Sequence, residues 1–310
     1  MRSVDRPTVT IDLARVRTNA QAVARRTGVP VIAVVKADAY GLGVLRVVEV
    51  LSDLVEAFYV LDAVEALAYA DVDTGKPTIA MLGTSDDPAD YVSRRIRPVV
   101  WTAERANLLR KARPVLSVDT GQRRFGCPAE QIDVVLKTGA CDEAFTHATA
   151  LDHVKQLRDA TAGRIAKLHA AGTALLDQPD AWLDAVRPGL ALYEGAVRVT
   201  TRLLEARDAT GPAGYGGFVS STGRLGTIIG GYSNGTRAGA PCVVNGVRRV
   251  VPEVGMQSGF VELGSQDKAG DEVVLLGDGV TERDVAAAWE TSPQEALFRL
   301  TNCGQKSYRT

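Results

Sequence analysis

The chain has 310 residues, 45% hydrophobic and 24% charged, ordinary for a globular protein with one large core or two smaller ones. Its 36 Lys and Arg nearly balance 37 Asp and Glu, a formal net charge of -1, so no overall field favours nucleic acid or an anionic membrane. The longest apolar runs, such as residues 31–35, are far too short to span a bilayer. No apolar signal-peptide core follows the first charges, so a cytoplasmic location is expected. The cysteines Cys127, Cys141, Cys242 and Cys303 are scattered, with no CxxC pair and no ligand spacing to a histidine. Free thiols and no metal site are expected.

In chain order, residues 8–11 form a β-rich run, and Asp12 can cap a helix over 13–26 with Val16, Ala20 and Val23 on one face. Residues 31–36 read as a strand covered on both faces. A helix over 47–54, a strand over 57–62 and a helix over 63–70 follow. Further strands are expected at 78–82, 98–100, 115–119, 143–146 and 164–169. Strands separated by helix-length segments imply βα units and a parallel sheet, which the pattern leaves either open or closed into a barrel. After about Leu204 the texture changes. Residues 211–217 and 230–235 are turn-rich, and short strands are expected at 226–229, 242–244, 247–254, 260–263 and 272–276. Gly277-Asp278-Gly279 marks a turn before an amphipathic helix at 282–290. The expected division is residues 1–204 as an α/β domain and 205–310 as a mostly β domain.

Lys36 ends the strand 31–36. At the C-terminal end of a barrel strand, where chemistry usually sits, partial desolvation lowers a lysine's pKa and favours the neutral amine that Schiff-base formation requires. Position alone leaves a second reading, a lysine snorkelling outward from a strand end.

The words around it resemble a known family. Val34-Val35-Lys36-Ala37-Asp38-Ala39-Tyr40-Gly41 is similar to the lysine signature of the alanine racemase family, whose lysine carries pyridoxal 5'-phosphate (PLP). The resemblance continues in family order through Val118-Asp119-Thr120-Gly121-Gln122-Arg123-Arg124-Phe125-Gly126, Phe145-Thr146-His147 and His169-Ala170-Ala171. Arg187-Pro188-Gly189-Leu190, Gly214-Tyr215-Gly216 and Gly231-Tyr232-Ser233-Asn234-Gly235 complete it, so it covers essentially the whole chain. It implies a PLP-binding TIM-like (β/α) barrel followed by a mostly β domain. It also implies a homodimer in which the second domain contributes to the partner's active site.

By the same resemblance, Lys36 holds the cofactor as a Schiff base and serves as base on one face of Cα. Tyr215 serves the other face from the partner subunit; racemisation needs an acid/base group on each side. Arg187 contacts the pyridine nitrogen, with His169 supporting it, and His147 contacts the catalytic tyrosine. Gly189, Leu190, Thr173 and Tyr40 bind the phosphate. Arg124 lies near the substrate carboxylate, with its neighbour Arg123 read as solvated surface. Tyr232 lines the entrance, and Met256 is contributed across the dimer interface. Without these motifs, His147 and His169 would read as ordinary strand-end histidines and Tyr215 as a loop aromatic.

The chain also departs from the pattern. Spacing is compressed between Arg124 and His147, His147 and His169, and Arg187 and Tyr215. Leu42 replaces a histidine, Gly172 and Ser117 stand where asparagine and a lysine are usual, and Asn234 and Gln257 replace aspartates. Gln294 replaces a tyrosine that narrows the substrate space, which leads to an expectation of a substrate other than alanine. The principal reading is a PLP-dependent amino-acid racemase. The alternatives are a PLP lyase, aldolase or decarboxylase on the same scaffold, or a PLP-binding protein without turnover. A dehydrogenase lacks the third glycine after Gly41-Leu42-Gly43. The GxSxG-like run at 231–235 has no histidine after its serine, which excludes that hydrolase order.

Overall fold

The computed structural model describes residues 6–310, which fall into two compact units. One, the barrel unit, comprises residues 16–39 and Gly43–Leu192; the other, the β unit, comprises residues 6–15, Tyr40–Leu42 and Tyr193–Thr310. The first strand, β1 (Thr8–Asp12), belongs to the β unit.

In the barrel unit, β2 (Ile32–Val34), β3 (Ala57–Asp62), β4 (Thr78–Leu82), β5 (Ile96–Val100), β6 (Val115–Ser117), β7 (Glu143–Ala148) and β8 (Lys167–Ala171) form one parallel sheet in sequence order. Helices Val44–Leu51, Ala63–Leu67, Pro88–Val92, Ala103–Leu108, Ile132–Lys137 and Leu151–Thr161 connect successive strands. Every residue of β2 and β6 is buried, which explains the unbroken apolar runs at those places. The sheet closes. Residues 184–188 form an eighth stave, with Ala185 bridging His169 and Val186 bridging Val31, both parallel. Arg187 N–H donates to Ala171 O at 2.7 Å and Ile32 N–H to Val186 O at 2.8 Å. These bonds use the edges that an open sheet would leave bare.

In the β unit, β9 (Val197–Asp208) is the organising strand. Its Val197, Val199, Thr201 and Leu203 are buried at every second position, the period of a strand with one covered face. The hairpin β10 (Pro212–Ala213) and β11 (Phe218–Val219) pairs only with itself. Then come β12 (Arg224–Ile229), β13 (Ala240–Val244), β14 (Val247–Val251), β15 (Ser258–Glu262), β16 (Glu272–Leu276) and β17 (Gln305–Arg309). The main order is β14-β13-β16-β9-β1-β17, with β12 joining β9 to β15. Helices Glu282–Ala288 and Pro293–Thr301 each begin at a side-chain cap, Thr281 and Ser292.

Two findings differ from a reading in chain order. β1 does not continue the α/β series; it lies antiparallel to β9 and parallel to β17. A five-residue run carries no information about a partner almost 300 residues away. The change of texture near Leu204 falls inside β9, which is continuous across it. No helix among the described residues is long and apolar enough to cross a membrane.

Candidate active site

Lys36 follows β2 at the C-terminal mouth of the barrel, and the next four residues turn the wrong way. Ala37, Asp38, Ala39 and Tyr40 have φ of 55°, 54°, 52° and 58°, a left-handed helical turn. Each non-glycine residue there costs about 1–2 kcal/mol, so the surroundings must over-determine the conformation. They do. Ala39 N–H donates to Val35 O at 2.9 Å and Gly43 N–H to Asp38 O at 3.0 Å, while Val44 N–H donates to Asp38 Oδ1 at 2.8 Å. Glu65 accepts from Ala37 N–H at 2.7 Å and from Leu61 N–H at 2.8 Å, tying the turn to the end of β3.

Lys36 itself is half-buried. Desolvation, and then the Arg124 charge, lower its pKa; Glu65 opposes them and Arg187 reinforces them. The result is a larger neutral-amine fraction than an exposed lysine has.

Arg187, on the eighth stave, is 5% exposed. Its Nη2 donates to Thr146 O at 2.6 Å, and its guanidinium lies 4.3 Å from the Phe145 ring centre and 5.3 Å from that of Tyr59. Its Nε has no partner among the described residues. Burial pushes its pKa down, but a guanidinium stays protonated. A buried, unpaired N–H on a fixed cation is costly unless something accepts from it.

Behind Arg187, His169 is fully buried and stacked on Phe145, with ring centres 5.3 Å apart. Its Nε2 donates to Glu143 Oε1 at 2.9 Å. Burial is the main reason its pKa falls to about 4, so the ring is neutral and its Nδ1 is left as a bare acceptor. Burial alone would raise Glu143, but the hydrogen bond from His169 and the Arg97 cation hold its carboxyl well below the usual range. Lys167 Nζ lies 3.6 Å from the same carboxylate. Ion pairs therefore sit at the N-terminal strand ends, and the catalytic candidates at the C-terminal ends.

His147, one residue before the end of β7, is exposed. Desolvation, then the charges of Arg187, Lys36 and Arg124, lower its pKa to about 4. Arg124 is exposed, 5.8 Å from the Phe125 ring centre, yet its charge reaches Lys36, Tyr59 and His147. Thr173 Oγ1 accepts from Gly189 N–H at 3.3 Å and from Ala191 N–H at 3.1 Å, gathering the hydroxyl and backbone donors at the start of the turn Leu190–Tyr193.

The remaining expected residues lie in the β unit. Tyr40 packs on Tyr193 with ring centres 5.0 Å apart, and burial raises its phenol to about 12. Tyr215, Tyr232 and Met256 are 95%, 57% and 62% exposed. They form one cluster: Tyr232 N–H donates to Gly255 O and Ser233 N–H to Met256 O, both at 2.9 Å, and Gly255 lies against the Tyr215 ring.

The structure thus gathers Lys36, Arg124, His147, His169, Thr173, Arg187, Gly189 and Leu190 in the barrel unit, and Tyr40, Tyr215, Tyr232 and Met256 in the β unit. Glu65, Glu143 and Tyr59 lie outside the sequence motifs that point to the site. A signal for Glu65 existed in Asp62-x-x-Glu65 before an apolar run, the pattern of a helix-capping pair; Asp62 does accept from Glu65 N–H at 2.8 Å. Glu143 carries no local mark, because its partners come from other strands.

The family description "Alanine racemase, N-terminal domain" matches residues 11–197, and "Alanine racemase, C-terminal domain" matches residues 196–308. Alanine racemase of Aeromonas hydrophila is 32% identical over 348 positions, covering 94% of this chain and 96% of that protein. The alignment is longer than the chain's 310 residues, so the relative carries segments missing here. The biosynthetic alanine racemase of Pseudomonas aeruginosa superposes with a TM-score of 0.89 at 24% identity, covering 99% of this chain and 100% of that one. Alanine racemase from Bartonella henselae, solved with covalently bound pyridoxal phosphate, gives 0.86 at 22% identity, covering 99% and 100%. With both domain descriptions matched end to end and a relative at this identity over nearly its full length, the chain belongs to the alanine racemase family.

Proposed function

We propose that the protein is a PLP-dependent amino-acid racemase that exchanges the Cα proton between two opposed acid/base groups, Lys36 and Tyr215. The observation that carries the reading is Arg187. A buried guanidinium with an unpartnered Nε, behind a half-buried lysine of lowered pKa, fits a ring nitrogen that must accept a hydrogen bond. Lys36 Nζ would hold the cofactor covalently. Arg187 Nε would donate to its pyridine nitrogen, and Thr173, Gly189 and Leu190 would take its phosphate. When bound, PLP supplies the electron sink that stabilises negative charge at Cα. Because arginine does not give up its proton, Arg187 disfavours protonation of the ring and restrains reactions that need a stronger sink.

Lys36 moves a proton on one face and Tyr215 on the other. Arg124 orients the substrate carboxylate, and His147 stays neutral as a partner for the tyrosine. A lyase or decarboxylase needs no second base, so the presented Tyr215 favours racemisation. We read Tyr215, Tyr232 and Met256 as completing the active site of a second copy, since side chains so exposed on one chain suit an interface. A cytoplasmic setting accords with four unpaired thiols.

The test is the visible spectrum of the purified protein with PLP, compared with Lys36→Ala, followed by incubation with single L- and D-amino acids and chiral detection. An absorbance band lost in Lys36→Ala and inversion of at least one amino acid are expected. Alanine, the substrate named for the relatives, comes first in the screen, and larger amino acids test the effect of Gln294. Two colourless, inactive proteins overturn the reading.

A further inference from the structure

We propose that Glu253 is the positioning residue for Tyr215, holding the catalytic turn through its backbone rather than through the phenol. This rests on the racemase reading above, in which Tyr215 serves one face of Cα. Tyr215 sits at the tip of the hairpin β10–β11, whose strands are two residues each and pair with nothing else. A ribbon that small does not hold its own position in water.

Glu253 supplies what the hairpin lacks. Its Oε1 accepts from Tyr215 N–H at 2.7 Å and its Oε2 from Gly216 N–H at 2.8 Å. One carboxylate thus grips two consecutive peptide groups, and hydrogen bonds to an ionised acceptor are about twice as strong as neutral ones. Glu253 is itself anchored, because Phe260 N–H donates to its carbonyl at 2.9 Å next to β15. A second hold lies close by, the Phe218 ring 5.5 Å from that of Phe260.

The flanking glycines are part of the clamp. A Cβ on Gly214 would lie 2.1 Å from Glu253 Oε1, and one on Gly216 would lie 2.8 Å from Oε2. Gly214 also has φ +70°. The carboxylate therefore occupies space that any side chain at 214 or 216 would take. Clamped in this way, the turn presents the Tyr215 phenol outward at 95% exposure. Since a displacement of about 1 Å can cost a catalytic group on the order of 100-fold, the hold on the turn sets how well Tyr215 works.

The experiment loads wild type, Glu253→Gln and Gly216→Ala with PLP and incubates each in deuterated water with L- and with D-alanine. Glu253→Gln leaves one acceptor and turns an amide N–H toward the other donor. The expected result is a kcat about 10- to 100-fold lower with KM within about twofold. For one enantiomer, deuterium uptake with retention should rise about tenfold relative to inversion, because Lys36 still exchanges its face while Tyr215 misses the other. Gly216→Ala should show the same bias and carries the test if Glu253→Gln fails to load with cofactor. An unchanged ratio of retention to inversion in the variants that load overturns the proposal, however far kcat falls. Tyr215→Phe gives the ratio of complete loss. A wild-type protein that exchanges neither enantiomer overturns the racemase reading and this inference together, whereas an active wild type with unaffected variants overturns only the inference.

Discussion

Glu65 does two things to Lys36 that pull in different directions. Its carboxylate pins Ala37 N–H and so holds the left-handed turn, and its charge raises the Lys36 pKa against burial and Arg124. Replacing it with glutamine removes the charge and keeps one acceptor. The Lys36 pKa should then fall further, and the neutral fraction that reacts with PLP should grow at a given pH. The pH profile of cofactor uptake by the apo-protein should move to lower pH in Glu65→Gln. A profile that stays in place or moves upward contradicts the electrostatic part of the argument. Lys36 and Arg187 were both found from sequence through the motifs around them, but Glu65 acts through two backbone N–H groups, and that kind of contact leaves only a capping pattern in the chain.

Among the elements, β7 and β8 carry the acid sensitivity. His169 titrates near 6.5 when unfolded and near 4 in the barrel. Its lowered pKa contributes stability that is intact above 6.5 and lost as pH falls toward 4, because the unfolded chain binds the proton more readily. Glu143 opens a second window by the same sign, from 4.5 down toward 2. Urea unfolding followed from pH 7 to pH 4 should show stability declining from about pH 6.5, and His169→Asn should remove the His169 share of that slope while leaving the share of His147, whose pKa is also lowered to about 4. The substitution should also cost about 1–3 kcal/mol at pH 7, through lost stacking and a poorer partner for Glu143. An identical slope in wild type and variant assigns the acid response elsewhere. The barrel strands themselves were legible, because strands buried on both faces write continuous apolar runs; β8 was misplaced by only a few residues, to 164–169 instead of Lys167–Ala171. The eighth stave was not legible, since its chain-closing bonds fall on a short stretch ending in Arg187-Pro188. Nor was β17, whose residues Gln305–Arg309 are mostly exposed and polar and become a strand only by pairing with β1.

At the scale of the whole molecule, the proposed dimer divides the chemistry between two chains. Lys36 and Arg187 belong to the barrel unit and Tyr215 to the β unit. If each active site takes its lysine from one copy and its tyrosine from the other, two dead variants should rescue each other. Lys36→Ala lacks one group and Tyr215→Phe the other, so a heterodimer of the two holds one site with both groups intact and one with neither. In a random equal mixture half of the dimers are heterodimers, each with one working site of two, so the mixture should restore about a quarter of wild-type activity and the purified heterodimer about half. Sedimentation of the separate variants should show both as dimers, which removes a failure to assemble as the reason for inactivity. Complementation requires that subunits exchange, so the mixture is prepared by co-expression with two different tags and purified through both. Activity in that doubly tagged species and none in either parent is the expected outcome. A doubly tagged dimer as inactive as its parents means that Lys36 and Tyr215 serve each site from the same chain, and the exposed cluster of Tyr215, Tyr232 and Met256 then needs a different occupant.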